Sequence, residues 1–240
     1  MTMNMLAAVD FSNPLLWAIL IGWIMSVVLH EFAHGLVASL GGDYTIRQRG
    51  GLTLNPLQYV DPMMSIVLPA IFLMMGGIPL PGGSTFVRRD LLRSRGWQSA
   101  VSLAGPTMNL LLFFICALPL HPKFGWAHYD GSDWTNGQTF LGAMAMLQFL
   151  AVLLNLVPVP PLDGFGAISP YLDEPTRTKL TTPPIGTMLF LGYFFVLWQV
   201  SAVVGAMFRV IDRVLIAMGY GQVGVAYFQN ALYHAFRGNG

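Results

Sequence analysis

Apolar residues in this chain run together in long blocks and seldom alternate with polar ones. Four blocks reach the ~20 residues that a bilayer-crossing helix needs: Pro14–Leu40, Trp97–Leu120, Gly137–Val157 and Ile185–Phe208. A fifth, Met63–Leu80, is shorter and holds Pro69, Gly76, Gly77 and Pro79. That composition predicts a re-entrant segment, since broken backbone at membrane depth is tolerated where it lines a cavity. Residues 44–54 have a different rhythm. Tyr44, Ile46 and Gln48 alternate with Thr45, Arg47 and Arg49, Gly50-Gly51 follows, and Leu52 and Leu54 flank Thr53. This predicts a short β-hairpin. Arg209–Tyr220 mixes charges with apolar residues and predicts an amphipathic helix at the interface, while residues 221–240 give weak signals. The expected fold is an all-α polytopic membrane protein: a bundle of about four spanning helices, a short re-entrant segment and a membrane-associated β-hairpin. One domain, 1–240, is expected, with its core at 14–164 and C-terminal helices over 185–220.

Composition agrees. The chain is 55% hydrophobic and only 10% charged, against about 25% charged in a soluble domain. A net charge of +1 gives no case for nucleic acid. The single cysteine, Cys116, lies inside an apolar block and reads as a buried structural thiol. The first residues lack the basic region of a cleaved signal peptide, so the N-terminus is expected to be mature.

The first block carries an exception to its own pattern. "LHEFAHG", residues 29–35, places a Glu between two His inside an otherwise apolar run. A carboxylate there costs roughly 3 kcal/mol on insertion scales. His30 and His34, four residues apart, share one helix face and can reach one metal, and Glu31 lies beside the same centre. This is the H-E-x-x-H spacing, in which two imidazoles bind zinc and the Glu is the general base. The competing reading is a polar patch lining a pore or a proton relay. A catalytic zinc needs a third protein ligand and an open position. Asp163 stands apart from the other acids: it closes "NLVPVPPLDG", residues 155–164, where Pro158, Pro160 and Pro161 unwind the chain after an apolar block. On spacing alone it is either that ligand or a turn aspartate, because Asp-Gly is a common turn pair.

Taken together, "HEFAHG", "GGLTLNPLQYVDP" (50–62), "SLAGPTMN" (102–109) and "NLVPVPPLDG" resemble four successive blocks of the site-2 protease family, in the small bacterial form without PDZ or CBS domain. The family consists of zinc intramembrane metalloproteases. The resemblance implies that His30, His34 and Asp163 hold one Zn²⁺ per chain and that Glu31 is the catalytic base. It also matches Asn155 to a residue that holds substrate or steadies the oxyanion; the competing role is an interhelical hydrogen bond. Gly105 and Asn109, four apart in the third block, read as a close helix contact. His121, His128 and His234 read as non-catalytic, and the fourteen Met as apolar filler.

The expected activity is cleavage of a transmembrane protein substrate within or near its span. Such a substrate must unwind, and Leu52, Thr53 and Leu54 of the hairpin are expected to pair with it as an added strand. A metal or proton transporter and a catalytically silent metal-binding membrane protein are the alternatives. For His30, His34 and Asp163 to meet, the first and third long blocks must run parallel, which requires Met63–Leu80 to dip and return. Arg47, Arg49, Arg88, Arg89, Arg93 and Arg95 then share one side, with Lys123 alone opposite. The positive-inside rule makes the Arg side cytoplasmic, with the metal nearer to it, in a multi-pass protein of the bacterial inner membrane.

Overall fold

The computed structural model describes residues 10–67, 69–70 and 81–237. Helix α1, Pro14–Gly41, is capped by Asn13, whose side chain accepts from the Leu15 amide, with Pro14 at its first turn. Its 28 residues rise about 42 Å, ample for a ~30 Å hydrocarbon layer. Helix α2, Thr45–Gln48, is one turn. Helix α3, Arg95–Ala117, starts at a Ser94 cap and contains Pro106. Helix α4, Asn136–Asn155, opens on a Thr135/Gln138 capping box. The short α5, Asp163–Ile168, follows. Then come α6 (Glu174–Thr181), α7 (Ile185–Gln199), α8 (Ser201–Ala217) and α9 (Gly221–Arg237). No strand occurs among the described residues.

Helices α1, α3 and α4 are long and apolar enough to cross a membrane, and the α6/α7 pair, bent by 62°, would make a fourth crossing if it counts as one. Helix α3 packs most heavily on α1 and α4, and α9 on α4. Their directions follow from side-chain neighbours. Val101 meets His34 and Asn109 meets His30, so α3 is antiparallel to α1. A Cβ on Gly22 would touch Phe140 and Met144, while His30 is linked through Asn109 to Gln148. Helices α1 and α4 therefore run parallel. The large apolar cluster gathers Leu16 and Ile19 of α1, Phe113 of α3, Ala143 to Leu147 of α4, and residues of α8 and α9. A smaller one joins Ala38, Ile46, Leu92 and Val101. His30 and His34 lie on α1 between the two clusters.

Three expectations need correction. The β-hairpin is absent. Thr45–Gln48 is helical, and the Asp43 carboxylate accepts from the amide and hydroxyl of Thr45. Gly50 adopts φ +69° and donates to the Arg47 carbonyl, while Gly51 donates to that of Ile46. These paired bonds are a Schellman motif, so Gly50-Gly51 ends a helix where a hairpin turn was expected. Leu52, Thr53 and Leu54 consequently pair with no strand, and the Thr53 carbonyl accepts from the Tyr59 hydroxyl. The span Ile185–Phe208 breaks at Val200, with φ −105° and ψ 84°; beyond it α8 carries Arg209, Asp212 and Arg213, a load unsuited to hydrocarbon. Residues 221–237 form a full amphipathic helix, burying Val225, Phe228, Ala231, Leu232 and Ala235.

The expected re-entrant segment Met63–Leu80 falls largely outside the described residues. Its flanks are described. Pro62–Val67 is a π-helical turn, and Gly82 donates to the Met64 carbonyl at 3.0 Å. The Trp23 indole donates to the Pro81 carbonyl. Higher up, Arg93 donates to the Gly41 carbonyl. The chain between α1 and α3 thus leaves and re-enters the bundle at the same end.

Candidate metal centre

The site is built from one turn of α1, one of α3 and the start of α5. His30, Glu31 and His34 are buried, at 7–8% exposure. His30 Nε2 lies 3.1 Å from one Asp163 oxygen and His34 Nε2 3.3 Å from the other. The two Nε2 atoms are 3.0 Å apart. Ligand atoms around a tetrahedral zinc with bonds of about 2.0–2.1 Å sit roughly 3.3–3.4 Å apart. The separations lie at or a little below that edge, with the two imidazoles facing different oxygens of the Asp163 carboxylate. All three donors fall within 4.8 Å of one another.

The opposite ring nitrogens decide which atoms face inward. His34 Nδ1 lies 2.6 Å from the Val101 carbonyl, and His30 Nδ1 lies 2.5 Å from Asn109 Oδ1. A backbone carbonyl can only accept, so His34 donates from Nδ1 and turns its Nε2 lone pair inward. With His30 in the same tautomer, two lone pairs and a carboxylate converge. Three electron-rich groups at this spacing repel each other unless a cation joins them.

Space for the cation comes from Gly105. A Cβ built on it would lie 2.3 Å from both Nε2 atoms, close to the length of a zinc–nitrogen bond. A donor set of two imidazoles and one carboxylate suits zinc. The residues present fit the metal.

Asp163 is brought in by the broken end of α4. A Cβ on Gly164 would meet the Leu156 carbonyl oxygen at 2.1 Å, so only Gly lets α5 begin this close to the end of α4. From the other side Arg89 donates to the Gly166 carbonyl and to Ser102 Oγ, and Ser99 Oγ donates to the Ala167 carbonyl. Asn155 ends α4 half-buried and forms no side-chain hydrogen bond among the described residues.

Glu31 points along a different wall. A Cβ on Gly83 would meet Glu31 Cγ at 3.0 Å, and Thr85 Oγ1 donates to the Glu31 carbonyl. The Glu31 carboxylate accepts no hydrogen bond among the described residues, which leaves its lone pairs for water. Residues 83–87 alternate half-buried and exposed, the pattern of an extended strand. One edge is tied down: Ser84 donates to the Tyr59 carbonyl and Arg49 to that of Phe86. The main-chain groups of Gly83 and Thr85 are unbonded among the described residues. Sequence reasoning missed this segment, although its Gly-Gly-Ser-Thr composition signals close approach to another backbone. It also took Gly105 and Asn109 for packing residues; their i, i+4 spacing puts them on one face of α3, where they meet His30 and His34.

The chain is similar to a protein of Mycolicibacterium smegmatis named "Putative zinc metalloprotease Rip2", at 41% identity over 72% of this chain and 66% of that one. A protein of the same name in Mycobacterium tuberculosis is 38% identical over 74% of this chain and 66% of its own length. "Putative zinc metalloprotease YwhC" of Bacillus subtilis is 32% identical over 73% of this chain and 81% of its own length. The matched region thus spans just under two thirds of the mycobacterial relatives. No family model matches the chain, and no solved structure matches it at a significant level.

Proposed function

The chain belongs to the site-2 protease family of zinc metalloproteases, and from that footing we propose that it is an intramembrane endopeptidase that hydrolyses a peptide bond in or near the transmembrane helix of a membrane-anchored substrate. The carrying observation is that Glu31 lies on the 28-residue apolar helix α1 beside the donor cluster His30, His34 and Asp163. A base so expensive to bury is explained if the bond it serves is buried too.

His30, His34 and Asp163 would hold one zinc. Bound there, zinc supplies Lewis acidity at neutral pH. Glu31 accepts a proton from the attacking water, whose oxygen forms the new bond to the carbonyl carbon. The C–N bond breaks, and Glu31 passes the proton to the leaving amine. The substrate must be unwound to expose its carbonyl. The free edge of Gly83–Thr85, beside Glu31, suits an added strand; Leu52 and Leu54 remain further contacts for the same segment. Asn155 is retained as a substrate contact reached only when a peptide is bound.

The Arg-bearing loops, by the positive-inside rule, support an orientation with the metal end of α1 toward the cytoplasm of a bacterial inner membrane. The test is reconstitution of the full chain in proteoliposomes with a panel of single-span model substrates, with and without a zinc chelator. Chelator-sensitive products whose new termini map inside the span support the reading. Zinc flux into the liposomes without any cleavage would replace it with a transporter.

A further inference from the structure

Two amides stand behind His30. Asn109 Oδ1 is 2.5 Å from His30 Nδ1, and Asn109 Nδ2 donates to Gln148 Oε1 at 3.1 Å. Asn109 is 4% exposed and Gln148 is fully buried. Gln148 Nε2 has no partner among the described residues. Its neighbours on α4, Ala145, Met146, Leu147 and Phe149, are buried apolar side chains. Packing alone would favour Leu or Met here, because an unsatisfied buried donor costs about 1–3 kcal/mol.

The chain of amides has two possible senses. In one, His30 donates from Nδ1 to Asn109, Asn109 donates to Gln148, and a Gln148 N–H is left over. In the other every bond reverses. Gln148 is then left with a spare carbonyl, the milder defect, but His30 accepts at Nδ1 and carries its proton on Nε2, the atom facing Asp163. Only the first sense leaves the Nε2 lone pair inward, and it is the one the structure adopts.

We propose that Asn109 and Gln148 are positioning residues: Asn109 Oδ1 accepts from His30 Nδ1 and holds the ring in its metal-binding tautomer, and Gln148 Oε1 backs it by taking the Asn109 N–H. The proposal rests on the metalloprotease reading above. Outer partners of a ligating His typically contribute 10–100-fold to metal affinity.

The test uses the purified full chain, with zinc affinity read by chelator competition and ligand geometry by the visible absorption of the Co²⁺-substituted protein. Asn109→Leu should bind zinc about 10–100-fold more weakly and change the Co²⁺ spectrum. Asn109→Asp should match or exceed wild type, because a carboxylate only accepts and lets Gln148 turn its N–H toward it. Gln148→Leu should weaken binding and Gln148→Glu restore it. Wild-type affinity and spectrum in both Leu variants would overturn the proposal, as would zinc loss in Asn109→Asp. If Asn109→Leu does not fold, the Gln148 pair and Asn109→Asp still decide. A wild-type protein without zinc would instead sink the metalloprotease reading, and this proposal with it.

Discussion

Replacing Gly105 with Ala puts a methyl carbon where the site would hold its metal. That carbon would lie 2.3 Å from His30 Nε2 and 2.3 Å from His34 Nε2. Carbon–nitrogen contacts need about 3.4 Å or more, so α3 would have to retreat by roughly 1 Å. Retreat stretches the two bonds that aim the imidazoles, Asn109 to His30 at 2.5 Å and Val101 to His34 at 2.6 Å. If α3 holds, the methyl group excludes the ion outright; if it moves, the outer partners are lost. Either route should weaken zinc binding at least about 100-fold, the upper end for disturbed outer partners alone. Elemental analysis after dialysis against a graded chelator measures this, and circular dichroism reports whether the helices persist. Gly96→Ala is the control: it lies on the same helix and, among the described residues, its Cβ would meet only Ser94 Oγ, at 3.6 Å. It should keep zinc. A Gly105→Ala protein with wild-type zinc affinity and helix content would refute the assignment of that space to the metal.

Asp163→Ala should lose zinc, since two imidazoles remain of a three-donor set; full occupancy at unchanged affinity would point to another ligand. Gly83→Val should slow cleavage about 100-fold, the cost of roughly 1 Å of misplacement at a reacting centre, because its side chain would collide with Val27 and Glu31. Zinc content should stay at one per chain; loss of zinc would mean that the segment supports the metal and not the substrate. In a Cys116→Ala background, single cysteines at Gln48 and Ser94 should be shielded from an impermeant thiol reagent in intact cells, and one at Gly131 should label. Opposite behaviour of Gln48 and Ser94 would contradict the return of the chain between α1 and α3.

The chemistry of α1 was legible because helix period and ligand spacing coincide: His30 and His34 at i, i+4 share a face in any helix. Asp163 was legible in part. Proline announced the unwound end of α4, but only Gly164, pressed against Leu156, shows why α5 can start there. The hairpin expectation failed at Gly50-Gly51, a pair that closes a helix by a Schellman motif as readily as it turns a strand. The one-turn α2 before it is too short for periodicity to reveal, and Asp43, which accepts from the Thr45 amide at its start, lies only two residues past Gly41, where α1 ends. The long block after Ile185 read as one span because its composition is uniform up to Phe208, and a backbone break at Val200 leaves no compositional mark. Gly105 and Asn109 read as packing residues because the small-residue signal is the same whether a helix admits a neighbouring backbone or an ion. The Gln148 contribution was invisible, since nothing in "MLQFL" says which buried polar group its amide meets.

The central claim is that Glu31 acts as a base on water beside a metal it does not bind. Glu31→Gln in the full chain tests this when zinc content and cleavage of a single-span substrate in proteoliposomes are measured on the same preparation. The amide keeps the size of the side chain and leaves His30, His34 and Asp163 intact. The account predicts one zinc per chain and a cleavage rate lower by about 10²–10⁴-fold, the range for loss of a positioned general base. Cleavage at the wild-type rate with zinc in place would contradict it.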